Sequence, residues 1–265
     1  MRFKVIFVAI FFLFTSFSFS YQEVKNLNLS AEGIKKLEID CGAGFLKING
    51  IESLREIEVT AEIEGKDKEF IRKYVDLSLE KRGSKAVLIS KFKQHFSLFS
   101  FKQRLINLTV RIPKNIDLDI DDGSGSINIE NIKGMVDIDD GSGDLYIKNI
   151  EGILDIDDGS GEIKAKDISG DLSIDDGSGD IRVENIKGDI DIEDSSGGIE
   201  AKDIYGDISI DDGSGSIYIS HVQGGVIVSD GSGSINIDGI EKNVVIKEDG
   251  SGSVNIKNVK GKIIK

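Results

Sequence analysis

The chain has few of the residues that usually staple or activate a protein. It has one cysteine, Cys41, so an internal disulfide is impossible. It has one proline, Pro113, and two histidines, His95 and His221, set far apart. That leaves little material for metal or acid–base chemistry built on imidazole. It also lacks long apolar runs. The only one, Val5 to Phe14, is too short to span a membrane in a mature protein. Arg2 and Lys4 precede it and Ser18-Phe19-Ser20 follows, so residues 1–20 read as an export signal with the mature chain starting near Tyr21. No cysteine follows the cleavage site and no second apolar segment exists. Neither a lipid anchor nor an integral membrane segment after cleavage is expected.

Positive charge is scarce in one part of the chain only. Residues 21–112 carry 17 Lys/Arg against 13 Asp/Glu, whereas residues 113–265 carry 14 against 34. So acidic a surface argues against nucleic acid as a partner. It suits solubility, cation binding or electrostatic steering.

What is abundant is one motif. D-D-G-S-G recurs from Asp121 onward, with its first glycine at Gly123, Gly141, Gly159, Gly177, Gly213, Gly231 and Gly250, and Ser195 in the remaining slot. The period is 18 residues, with one extra residue before Gly250. A fixed short period marks a solenoid, whose repeats bury their apolar faces only against their neighbours. Within Val136 to Gly152, apolar residues at Val136, Ile138, Leu145 and Ile147 alternate with polar ones, the period of half-buried strands. Gly141-Ser142-Gly143 makes one turn and Asn149-Ile150-Glu151-Gly152 the other. Stacked in parallel, the halves form two sheets facing each other over a narrow core. Inward columns run through Val136, Leu154 and Leu172 on one side and Leu145, Ile163 and Ile181 on the other, and the column of Ile132, Ile150 and Ile168 closes the second corner. An antiparallel meander would leave one apolar face of a wide sheet uncovered. The expected fold is all-β: a two-sided parallel β-solenoid with 18-residue coils. Eight coils at about 4.8 Å give a rod of roughly 38 Å.

Such a rod has open sheet edges at both ends. Lys257, Lys260, Lys262 and Lys265 hinder further stacking at the C-terminal end. At the other end, Ile39-Asp40-Cys41-Gly42-Ala43-Gly44 followed by Leu46, Ile48 and Ile51 reads as a degenerate first coil, with Cys41 in an aspartate column. Strands are expected at 57–63, 75–80, 86–90 and 106–112, with a short helix at 66–74. The mature chain, 21–265, is therefore one domain: a degenerate first coil in 21–56, a capping insertion in 57–112, and eight regular coils in 113–265. Inside the insertion, Phe92, Phe96, Phe99 and Phe101 alternate with Lys91, Lys93, His95 and Lys102. These aromatics plug the end of the solenoid or, with Phe99 and Phe101 foremost, form a contact loop for a partner or an anionic interface.

The aspartates Asp122, Asp140, Asp158, Asp176, Asp194 and Asp212 stand in line, one per coil. Neighbours about 5 Å apart repel by roughly 1 kcal/mol in water. Either the turn's own N–H groups offset this, or calcium does, with these six as ligands. Calcium rolls place G-G-x-G-x-D in both turns, whereas here Gly-Ser-Gly occupies one turn. A second ladder runs through Asn131, Asn149, Asp167, Asn185, Asp203 and His221, where stacked amides can bond along the rod. Apart from possible calcium, no cofactor is implied. Gly-Ser-Gly is not the G-x-S-x-G nucleophile elbow. Carboxylate pairs of the kind β-helical glycosidases use recur in every coil rather than breaking the pattern at one place. No catalytic residue is assigned.

The stretch V-R-I-P-K-N-I-D-L-D-I-D-D-G-S-G-S-I-N-I-E-N-I-K-G, from Val110 to Gly134, resembles the bacterial "putative adhesin" family of exported β-solenoids, related to the toast-rack domains. The likeness extends over the mature chain. It implies a non-enzymatic protein of the cell envelope, periplasmic or at the cell surface, acting in adhesion or as a scaffold on a cell-surface glycan or protein. The alternatives are a calcium-stabilised roll, an envelope-stress sensing module and a polysaccharide-acting enzyme. On the outward column of Asn128, Tyr146, Lys164, Arg182, Glu200, Tyr218 and Asn236, the expected surface contacts are Tyr146, Arg182 and Tyr218.

Overall fold

A computed structural model describes residues 21–93 and 104–265. The export signal, His95, Phe96, Phe99 and Phe101 lie outside the described residues. The chain forms the expected two-sided parallel solenoid, as two 12-stranded sheets packed face to face. The first regular coil is β8 (Asp117–Ser124) and β9 (Ile127–Ile132), followed by β10 (Val136–Asp140) and β11 (Leu145–Ile150). From there even-numbered strands extend one sheet to β24 (Ile263–Ile264), and odd-numbered strands extend the other to β23 (Val254–Val259). Register is strict: Val136 pairs with Leu154 and Leu145 with Ile163, one repeat apart. The extra residue before Gly250 is absorbed as an irregularity after Val228.

Strict register stacks like on like. Inward aliphatics such as Ile138, Ile147, Ile150 and Ile163 are at most 1% exposed, and each contributes roughly 1.5–3 kcal/mol before chain entropy is charged. The two corners are made differently. At the Gly-Ser-Gly corner a Cβ on Gly161 would lie 1.6 Å from the Gly143 carbonyl oxygen, and Gly161 has φ +149°. Consecutive coils touch backbone to backbone there, so only glycine fits. At the other corner Asn131, Asn149, Asp167, Asn185, Asp203 and His221 all have φ between 56° and 64°. Asparagine and aspartate tolerate this left-handed conformation best among residues with a Cβ.

The N-terminal end departs from the repeat. The degenerate coil, β2 (Lys36–Ala43) and β3 (Leu46–Ile51), sits directly on β8 and β9. The chain then runs outward through β4 (Glu56–Gly65), α1 (Lys68–Tyr74) and β5 (Val75–Arg82). Asp67 caps the helix, its carboxylate accepting from the Phe70 N–H at 2.7 Å. The chain returns as β6 (Lys85–Phe92) and β7 (Leu105–Pro113), a further parallel coil stacked on β2 and β3. β7 is thus inserted between β3 and β4, and β1 (Tyr21–Ser30) closes the edge antiparallel to β4. On the other sheet the β5–β6 hairpin forms the edge.

Candidate functional site

Three stacked arrays carry the chain's chemistry. The first lies inside. Asp122, Asp140, Asp158, Asp176, Asp194, Asp212 and Asp230 point into the solenoid at the Gly-Ser-Gly corner, each at most 4% exposed. In Asp140, Asp158, Asp176, Asp194 and Asp212 one carboxylate oxygen accepts from the N–H of the serine two residues on: 3.2 Å at Ser142, 3.1 Å at Ser160, 3.0 Å at Ser178, 2.9 Å at Ser196 and 2.9 Å at Ser214. The other oxygen has no hydrogen-bond partner in Asp140, Asp158, Asp176, Asp194 or Asp212. Burial, then the neighbouring Asp122 charge, pushes Asp140 up to about 7. Burial raises Asp176 to about 7 and Asp212 to about 6, with the Asp194 charge adding in both. Cys41 stands next in the column, in register with Asp122 on one side and the buried Ser90 on the other, and burial, then the Asp122 charge, pushes its thiol far above the usual range. So the six aspartates considered as calcium ligands form one column, in which Asp140, Asp158, Asp176, Asp194 and Asp212 use the turn N–H groups. Among the described residues no group of three or more His, Cys, Asp or Glu is arranged to hold a metal ion.

The second array is the two outer faces, which differ in charge. On the even-numbered sheet Asp137, Asp155 and Asp191 share one outward column, and Asp121, Asp139, Asp157, Asp175, Glu193 and Asp211 share the next. Ion pairs on this face gather at its N-terminal end: Lys36 with Asp119 at 2.5 Å, Lys85 with Glu38, and Lys91 with Asp40. On the odd-numbered sheet signs are mixed and pair up. Arg182 engages Glu162, Asp180 and Glu200, and Lys166 meets Glu184 at 2.9 Å. The three sequence-chosen contacts, Tyr146, Arg182 and Tyr218, share one outward column of that face. Tyr218 is 53% exposed, whereas the Lys164 ammonium sits 5.2 Å from the Tyr146 ring and Arg182 is held by its acid partners.

The third array is the ladder at the second corner. Asn131 donates to Asn49 at 2.8 Å, Asn149 to Asn131 at 2.6 Å, and Asn185 to Asp167 at 2.6 Å. His221 continues it, its Nδ1 lying 3.1 Å from an Asp203 oxygen. A groove of 490 Å³ follows this corner, and Tyr205, 49% exposed, stands in it. Sequence reasoning passed over Tyr205. The available signal was one aromatic in a corner column otherwise made of Lys133, Glu151, Ser169, Lys187, Gln223 and Glu241.

A family model described as Toastrack DUF4097 matches residues 34–227. No curated protein matches the chain. Among solved structures it is similar to a "putative adhesin" of Bacteroides fragilis, at 16% identity and TM-score 0.40, over 91% of this chain and 96% of that one. A "putative cell adhesion protein" of Clostridium sporogenes gives 17% and 0.32, over 91% and 100%. A "putative lipid binding protein" of Parabacteroides distasonis gives 18% and 0.47, over 92% and 97%.

Proposed function

Given that the chain belongs to the Toastrack DUF4097 family, we propose that it is a non-enzymatic exported protein of the cell envelope, periplasmic or surface-exposed, which acts as an adhesin or scaffold. One observation carries this reading. The inward columns are nearly uniform from coil to coil, while the outward column of the odd-numbered sheet runs Asn128, Tyr146, Lys164, Arg182, Glu200, Tyr218 and Asn236. Uniform inward residues specify the rod, and varied outward ones are free to specify a partner. Among the described residues no helix is long and apolar enough to cross a membrane.

The test is retention of the purified chain on whole cells and on isolated cell-wall material. The parent chain is expected to be retained. The triple variant Tyr146→Ala, Arg182→Ala, Tyr218→Ala is expected to lose retention at an unchanged melting temperature. A parent chain that is not retained would sink the reading. Full retention of the triple variant would remove these three residues from it.

A further inference from the structure

The second-corner ladder depends on a donor in each coil reaching an acceptor in the coil before. Aspartate has no N–H to give, so the ladder breaks where aspartate replaces asparagine. Asn149 and Asp167 are one such break, and Asn185 and Asp203 are the other: no bond joins either pair, while the links on each side are made. At each break two acceptors face each other. The second break lies in the 490 Å³ groove, whose walls include Asn185, Asp203, Tyr205, His221 and Gln223. Beyond His221 the ladder position is Gly239, with φ +76° and no side chain to continue the stack. The groove thus holds an exposed aromatic face, an Asn185 oxygen that receives no donor from the next coil, an Asp203 carboxylate that meets His221 and Lys202, and a notch where the ladder stops.

Each element selects the ligand. The undonated Asn185 oxygen and the remaining lone pairs of Asp203 call for a molecule rich in O–H or N–H groups. An amphipathic ring beside them calls for one with an apolar face. Of the charged side chains lining the groove, Asp167, Glu184, Asp203 and Glu241 are acidic and Lys166 is basic. Lys166 is already paired with Glu184. Outside the lining, Lys202 lies 3.8 Å from Asp203 and Lys260 2.6 Å from Glu241, so the groove keeps a small excess of negative charge, which disfavours anionic ligands. We infer that this groove binds a neutral or amino-sugar unit of a glycan, with Tyr205 as the stacking platform and Asn185 and Asp203 as hydroxyl acceptors. This inference rests on the reading of the protein as a surface binder and names the chemistry of its partner.

The test is titration of the full chain with neutral oligosaccharides (cello- and malto-oligomers), chitosan oligomers and oligogalacturonate, followed by calorimetry and saturation-transfer NMR. Neutral or amino-sugar oligomers are expected to bind and the uronate not. Tyr205→Ala should weaken binding at least about tenfold, and Asp203→Asn should weaken it too, both at an unchanged melting temperature. Ile227→Ala, exposed on the even-numbered sheet and away from the groove, should bind as the parent does. The inference is overturned if no neutral or amino-sugar oligomer binds, if oligogalacturonate binds best, or if Tyr205→Ala binds like the parent. Retention on cells, scored separately for Tyr205→Ala, separates this failure from that of the broader reading. Retention without sugar binding leaves the surface binder standing and removes the glycan.

Discussion

Replacing Asp176 by asparagine should stabilise this protein at alkaline pH and do little in acid, the reverse of the usual penalty for altering a buried polar residue. Asp176 is fully buried. One oxygen accepts from the Ser178 N–H at 3.0 Å and the other has no partner. Asp158 and Asp194 flank it in register, one strand away on each side. Burial raises its pKa to about 7, and the charges of Asp194 and Asp158 add to this against the Ser178 bond. In the unfolded chain the value is about 3.9. Between those values the folded state holds a proton that the unfolded state has released. The associated stability is therefore complete below about pH 4 and is lost as pH rises through about 7. At about 1.4 kcal/mol per tenfold change in proton affinity, the gap amounts to about 4 kcal/mol at the ceiling, which coupling along the column and local relaxation reduce.

Asparagine keeps the acceptor for Ser178, removes the charge and adds donors that face the unpartnered oxygens of Asp158 and Asp194. The expected gain at pH 8 is on the order of 2–4 kcal/mol, or roughly 4–15 °C in melting temperature for a chain of this size. At pH 4.5 the parent is already protonated and the two proteins should melt within about 2 °C of each other. The assay is thermal and urea unfolding of both proteins at both pH values. An asparagine variant less stable than its parent at pH 8, or a gain of equal size at both pH values, would refute the reasoning.

Two further expectations follow from the corners and from Cys41. Gly161→Ala drives a Cβ to within 1.6 Å of the Gly143 carbonyl oxygen at φ +149°, and should cost about 3 kcal/mol or more. Gly123→Ala, where the nearest atom is 3.9 Å away, should change stability by less than about 1 kcal/mol; equal losses in the two unfolding curves would show that the corner does not stack as described. The Cys41 thiol, buried and raised by burial and by Asp122, should resist alkylation at pH 8 in the folded protein and react once urea unfolds it. Rapid labelling of the native chain, read by mass spectrometry, would contradict that placement.

The coils were legible because the pattern that makes them is local. Alternation placed Val136, Ile138, Leu145 and Ile147 inward, and the structure buries all four. The same alternation, carried two residues past Ile120 or Ile138, points Asp122 and Asp140 inward as well. Their polarity obscured it, because the compensating partner is a backbone N–H, which every residue except proline carries and which leaves no mark in the sequence. The strands and helix of the insertion were legible one by one. Their order in the sheets was not. Nothing in residues 105–113 says that β7 lies between β3 and β4, since that depends on which edge is still open when the strand arrives. Tyr205 was missed because it belongs to a corner, where no strand period points to it.

In-register stacking makes each outward column a line of charges whose sign sequence decides its energy. Where signs mix along the stack, as in Lys166 and Glu184 or Arg182 and Glu200, neighbouring coils neutralise one another. Where they repeat, as in Asp139, Asp157, Asp175 and Glu193, each neighbour adds about 1 kcal/mol of repulsion in water and more near the protein surface. Both kinds of column stand on the same backbone and the same aliphatic core. The acidic face is therefore not a by-product of folding: serine replaces aspartate at Ser173 and Ser209 on that face without a break in the strand register. The strand tolerates either residue there, so the run of like charges is not required by the fold. On the odd-numbered face the mixed signs already pair between coils, so that repulsion is largely cancelled there.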